Sequence, residues 1–185
     1  MVQGTHQRNA TIKEQAFVGM IASALEVYKK ESFGLLIGEI HKKHYLIVDT
    51  YTYQAAQRKY ESVGITPQKK NRINNSLRFF SSSRVIGDFH SHPEGPDFLS
   101  GCDKTDTLSG NTELTILVSV YKTKTRHKWR FNKDLSISGS VGNTYFIKIV
   151  AFEANKKEKR VNPIKIVCPY LTKINKLKLF EKRVY

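Results

Sequence analysis

Apolar and polar positions change period several times along the chain, and each change marks an element. Ile12, Phe17, Met20, Ile21, Ala24, Leu25 and Tyr28 recur three or four residues apart, which predicts a helix over residues 12–29. Thr11 and Glu14 have the spacing of a capping box at its start, and Lys29 and Lys30 suit its C-terminal end. Residues 33–40 are then almost continuously apolar, residues 41–44 polar, and residues 45–53 apolar again, which predicts a hairpin of two strands. Residues 54–66 carry no clear period. Pro67 suits a first helical turn, and Ile73, Leu77 and Phe80 share a face, predicting a helix over 67–80. After the break at residues 81–83, the β-branched and aromatic residues 84–89 predict a strand that continues to His92 and stops at Pro93. Residues 99–109 read as a short helix or tight turn. Strands follow at 113–121, 127–131 and 145–152, with a flexible loop at 138–143. Residues 156–160 form a charged turn, and 161–167 read as a strand interrupted by Pro163. Leu171, Ile174, Leu177 and Phe180 at helical spacing predict an amphipathic helix within 169–185.

No repeat and no linker-like stretch divides this order. It predicts an α+β domain of three α/β/α layers, with a mixed central sheet flanked by helices. Residues 11–185 form that single domain, with a C-terminal helical extension, and residues 1–10 are a loose tail. A chain of 185 residues, 39% hydrophobic and 25% charged, is long enough for a real core. The net charge of +15 is the unusual feature; it suggests attraction to an acidic partner or to nucleic acid, against the plainer reading of a solvated lysine-rich surface. Trp129 lies among Lys122, Lys124, Arg126, Lys128 and Arg130, an arrangement able to stack nucleobases, although an amphipathic edge strand is the simpler reading. Cys102 and Cys168 make no disulfide framework, which points to a reducing cytoplasm. No apolar run approaches the ~20 residues of a membrane span, and residues 1–10 lack the apolar core of a signal peptide.

The candidate chemistry lies between Gly87 and Asp103. On one extended strand His90 and His92 point to the same face, with Cα atoms about 6.6 Å apart. Ser100 and Asp103 share a face of the following helix. Two imidazoles and a carboxylate make the three-ligand set of a catalytic zinc, one ion per chain, with a fourth position open to water. Cleaving an amide there also requires a carboxylate to move the proton. Glu31 and Glu39 are candidates, and lie roughly 26 Å apart on an extended strand, so only one serves; the residues alone leave the choice open. Ser100 is placed to donate to a developing oxyanion. Cys102 reads as a small buried residue, and His41 with His44 as solvated turn histidines without a third ligand.

His90-Ser91-His92-Pro93 followed by Ser100 and Asp103 resembles the zinc signature of the JAMM (MPN+) metalloproteases, and Glu31-Ser32-Phe33-Gly34-Leu35-Leu36-Ile37-Gly38 is similar to that family's upstream motif. The resemblance implies an MPN, cytidine-deaminase-like fold. It implies His90, His92 and Asp103 as zinc ligands, Glu31 rather than Glu39 as general acid/base, and Ser100 as oxyanion stabiliser. It further implies hydrolysis of an isopeptide or peptide bond after the Gly-Gly tail of a ubiquitin-like modifier or a sulfur-carrier protein. The short segment between Asp103 and Glu113 leaves no room for the insertion that eukaryotic ubiquitin-chain enzymes carry, so the chain looks more like the compact archaeal or bacterial branch. His92-Pro93-Glu94-Gly95 also resembles the RadC proteins, which makes a DNA-associated member of the superfamily the alternative. Nucleic acid is the less favoured partner, and no membrane partner is expected.

Overall fold

The structure, a computed structural model, describes residues 8–53, 67–80, 82–110 and 113–176. Expectations for residues 1–7, for 54–66 and for the helix beyond residue 176, including Leu177 and Phe180, lie outside the described residues. In chain order the elements are β1 (Asn9–Ile12), α1 (Glu14–Glu26), β2 (Phe33–Ile40), β3 (His44–Thr52), α2 (Pro67–Phe80), β4 (Arg84–Pro93), α3 (Gly101–Ser109), β5 (Leu114–Lys122), β6 (Arg130–Phe131), β7 (Ile137–Val141), β8 (Tyr145–Asn155), β9 (Arg160–Ile164), β10 (Ile166–Val167) and α4 (Tyr170–Lys176).

The strands form one mixed sheet in the order β10-β1-β3-β2-β4-β5-β8-β7-β6, with β9 pairing along the far half of β8. The predicted hairpin is β2 against β3, antiparallel. β4 pairs antiparallel with β2 and parallel with β5, so α3 lies in the connection between two parallel strands. Residues 9–12 are where local pattern loses to long-range pairing. Thr11 is not a helix cap; it sits in β1, paired in parallel with Leu46 and Val167. The helix starts two residues later, with Lys13 at its N-cap and no side-chain cap bond. Residues 138–143 are likewise no flexible loop: β7 runs through Val141, paired with β8. Pro163 lies inside β9, paired with Phe152 at the edge of the sheet, where its missing N–H is tolerated, and the break falls at Lys165 instead.

Both faces of the sheet are covered, as the apolar runs in β2 and β5 require. On one face Phe17, Met20 and Ala24 of α1 and Leu171 of α4 pack on Leu36, Ile47, Phe89, Ile116, Val118 and Ile149. On the other face Ile73 and Leu77 of α2 cover Leu35, Ile37 and Val85, and Leu99, ahead of α3, meets Leu117, Val150 and Phe152. Successive residues of one strand therefore serve opposite cores, with Leu36 against Leu35 and Ile116 against Leu117. β2 approaches its neighbours too closely for side chains at two points. A Cβ on Gly34 would stand 2.2 Å from the Phe89 ring, and one on Gly38 would stand 1.9 Å from the Leu46 carbonyl oxygen, beside the bulge at Ile37/Gly38.

Candidate metal centre

β4 delivers both histidines. Phe89 belongs to the α1 core, so His90 and His92, one and three residues on, look onto the opposite face, and they pair with Leu117 and Ser119 of β5. Pro93 is the last residue of the strand. The chain then turns through Glu94, whose φ is +53°, and reaches α3 at Ser100.

The start of α3 aims Asp103. Ser100 is the N-cap; its Oγ accepts the Asp103 N–H at 3.1 Å, and Asp103 Oδ2 accepts the Ser100 N–H at 2.7 Å. This capping box satisfies two otherwise orphaned amides and holds the Asp103 carboxylate at the helix entrance. Because Ser100 Oγ is the acceptor in that bond, its own proton remains free to donate.

Asp103 Oδ1 lies 3.6 Å from His90 Nε2, and Oδ2 lies 3.7 Å from His92 Nε2. His90, His92 and Asp103 can each offer one ligand atom, all within 4.8 Å of one another, and among the described residues this is the group of three or more such side chains able to hold a metal ion. The spacings fit an ion better than direct contacts. At 3.6 Å the contact is too long for a hydrogen bond, and His90 Nε2 is buried without a hydrogen-bond partner among the described residues. Two ligands each ~2.1 Å from a shared tetrahedral ion stand about 3.4 Å apart. Two imidazole nitrogens and a carboxylate oxygen form a donor set suited to zinc. His92 Nδ1 lies 2.9 Å from the Pro96 carbonyl oxygen, which accepts its proton and leaves Nε2 with the lone pair a metal needs.

Glu31 completes the cluster. It precedes β2, and its Oε1 is 3.9 Å from His92 Nε2. Phe33 pairs with His90, while Ser32 and Ser91 are joined by their backbones and side chains, so the entrance of β2 is stitched to the histidine strand. Glu39, at the other end of β2, stands 3.3 Å from His41 and takes no part.

Charge in the cluster is strongly coupled. Burial pushes the Glu31 carboxyl above the usual range, against the pull of the two imidazoles. The His90 imidazole and the Ser100 groups hold Asp103 well below the usual carboxylate range. Burial disfavours charge on His90, but Asp103, Asp88 and Glu31 together outweigh it and raise its pKa.

Other sequence candidates lie elsewhere. Cys102, directly before Asp103 in the first turn of α3, is exposed rather than buried. The rings of His41 and His44 stack at 4.5 Å on the β2–β3 hairpin. Trp129 is 7% exposed and packs edge-on against Phe17, so it is a core anchor rather than a stacking platform. The Pro96 carbonyl and the Ser32–Ser91 pair were not legible as parts of the site. Ser119 does leave a trace, as a polar residue in the apolar run of β5.

Three comparisons bear on this geometry. The family model described as prokaryotic homologs of the JAB domain matches residues 13–132. No curated protein matches the chain. Among solved structures, the solution structure of protein DSY2949 from Desulfitobacterium hafniense superposes with a TM-score of 0.59 at 19% identity, covering 86% of this chain and 92% of that one, a likeness of fold. The family match takes in α1, the hairpin, both histidines and the start of α3, well over half of the sequence, and the chain belongs to the prokaryotic homologs of the JAB domain.

Proposed function

We propose that the chain is a JAMM-type zinc metallopeptidase that hydrolyses the peptide or isopeptide bond after the Gly-Gly tail of a ubiquitin-like modifier or sulfur-carrier protein. The observation that carries this reading is the convergence of His90, His92 and Asp103 with the Glu31 carboxylate at their edge. Bound there, a zinc ion would lower the pKa of a water towards ~7 and polarise the scissile carbonyl. The protein's own groups supply the rest. Glu31, raised by burial, is suited to take a proton from the attacking water and return it to the leaving amine. Ser100 has a hydroxyl proton to offer the oxyanion while its lone pair caps α3. Both histidine side chains are largely shielded from water, at 12% and 9% exposure, which keeps competing ligands off the nitrogens.

The test offers zinc-loaded protein a panel of Gly-Gly-tailed ubiquitin-like and sulfur-carrier proteins fused to a reporter amine. The expected outcome is cleavage that chelator abolishes and that Glu31→Gln lowers by about 10²–10⁴-fold at unchanged zinc content. Full zinc occupancy without cleavage of any fusion would overturn the reading.

A further inference from the structure

We propose that Lys148, on β8 two strands away from the histidines, is a positioning residue for the metal centre, acting through a strap formed by residues 94–98. The inference rests on the metal-centre reading of His90, His92 and Asp103.

The strap leaves β4 directly after the ligands and crosses the sheet surface. It meets a row of side chains that the register places in one line. His92 pairs with Ser119 on β5, Ser119 with Lys148 on β8, and Lys148 with Ser138 on β7. Three members of that row hold the strap. His92 Nδ1 and Ser119 Oγ both bond the Pro96 carbonyl, at 2.9 and 3.2 Å. Lys148 Nζ pairs with Asp97, the next residue, and also with Asp134 at 2.7 Å in the turn before β7. Tyr121 donates to the Gly95 carbonyl at 2.6 Å, and the Glu94 N–H bonds the Val120 carbonyl at 2.7 Å. Glu94 itself is bound by the Tyr28 hydroxyl and by the Lys122 N–H.

Only one of these bonds touches a metal ligand. The Pro96 carbonyl decides which His92 nitrogen carries the proton, and hence whether Nε2 is free for a metal. A carbonyl in a connecting segment has no ladder to hold it in place. Here the residue after it is tied by a half-buried ammonium that is itself braced from the other side by Asp134. Lys148 is 20% exposed and sits on the same sheet face as the histidines, so its charge lies under the strap rather than in solvent. The device is a tripod: β5 fixes Pro96, β8 fixes Asp97, and together they fix the imidazole.

Two readouts test this separately from the peptidase reading. Long-range proton–nitrogen correlation spectra of metal-free protein at pH 8.5 report the His92 tautomer. The wild type is expected to show Nδ1–H, and Lys148→Met a shift toward Nε2–H. Chelator competition then reads zinc affinity, expected to fall about 10-fold or more in Lys148→Met, with most of the loss recovered in Lys148→Arg. Asp97→Asn, which removes the Lys148 partner on the strap and leaves Lys148 paired with Asp134, gives a second route if Lys148→Met folds poorly, with the same direction expected. Lys173→Met, which breaks the remote pair with Glu14, is the control expected to leave both readouts unchanged. An unchanged His92 tautomer and unchanged zinc affinity in Lys148→Met, or in Asp97→Asn where the first variant folds poorly, would overturn the inference. Failure of the wild type to bind zinc would instead sink the metal-centre reading, while the tautomer spectra would still decide the role of Lys148.

Discussion

Ser91, between the two histidines, shows how much a site depends on residues that do no chemistry. Its Oγ accepts the Ser32 N–H at 2.8 Å and pairs with Ser32 Oγ at 3.0 Å, fully buried. Ser32 follows Glu31, so this pair sets where the carboxylate enters the cluster. Ser91→Ala strands a buried amide, at a cost of about 1–3 kcal/mol. It is expected to lower kcat while zinc affinity, measured by equilibrium dialysis, stays near the wild-type value. A matching loss of both would place Ser91 with the ligands instead. The histidines, Ser100 and Asp103 are legible in the sequence because they are close neighbours on regular elements, where period alone tells which face they share. Glu31 is a different case. Nothing in its own surroundings distinguishes it from Glu39, because what separates them is the pairing of Phe33 with His90, a contact across 57 residues. Only the likeness of residues 31–38 to the JAMM upstream motif points to Glu31, and partners such as the Pro96 carbonyl have no side-chain signature at all.

Among the elements, α3 carries two duties on one turn. The bonds that cap it also hold Asp103 in place, so Ser100→Ala is expected to cost about 1 kcal/mol in urea unfolding and, under the proposed peptidase reading, to reduce kcat as well through the lost donor. Ser100→Gly, which lacks the hydroxyl but is a tolerated N-cap, should lose only a few tenths of a kcal/mol while losing the same donor, which separates the two effects. Gly38 is a sharper case. A methyl group there meets the Leu46 carbonyl at 1.9 Å, and backbone cannot yield as a side chain would. Gly38→Ala is therefore expected to unfold at clearly lower denaturant than wild type, and an unshifted midpoint would show that the bulge is free to move. Strands with alternating or continuous apolar residues were readable. β7 was not, because Ser138, Gly139 and Ser140 have the composition of a loop. Its serines are instead satisfied internally: Asn132 Nδ2 donates to Ser138 Oγ at 3.1 Å, and the His127 N–H to Ser140 Oγ at 2.7 Å. Gly139 makes room for Trp129, whose ring would lie 2.4 Å from an added Cβ. Likewise residues 9–12 carry a helix-start pattern that two parallel neighbours override.

At the scale of the whole molecule, charge has both a local and a global part. Burial opposes ionisation of Asp134 and Lys148, but their pairing outweighs it, lowering the first pKa and raising the second. The carboxylate contribution is present above the unfolded-state value of about 3.9 and is lost as pH falls through the lower folded value; the ammonium contribution is present below about 10.4 and is lost as pH rises through the higher folded value. The stability gap between wild type and Lys148→Met should thus be flat from about pH 5 to 9 and close on the acid side, as thermal melts across pH will read. The global part is the net +15. If an acidic modifier is the substrate, added salt should lower kcat/KM by slowing encounter and leave kcat unchanged; equal cleavage at low and high salt would remove the charge from the account. The centre also has a mechanical side. Its side chains come from the entrance of β2, the end of β4 and the first turn of α3, segments separated by up to 72 positions along the chain. An ion held by His90, His92 and Asp103 would be a removable cross-link, so an ion concentration 100-fold above Kd would add about 2.7 kcal/mol to the folded state. Hydrogen exchange should locate that gain: chelation is expected to loosen residues 100–109 first, turning the occupancy of one coordination site into the lifetime of a helix.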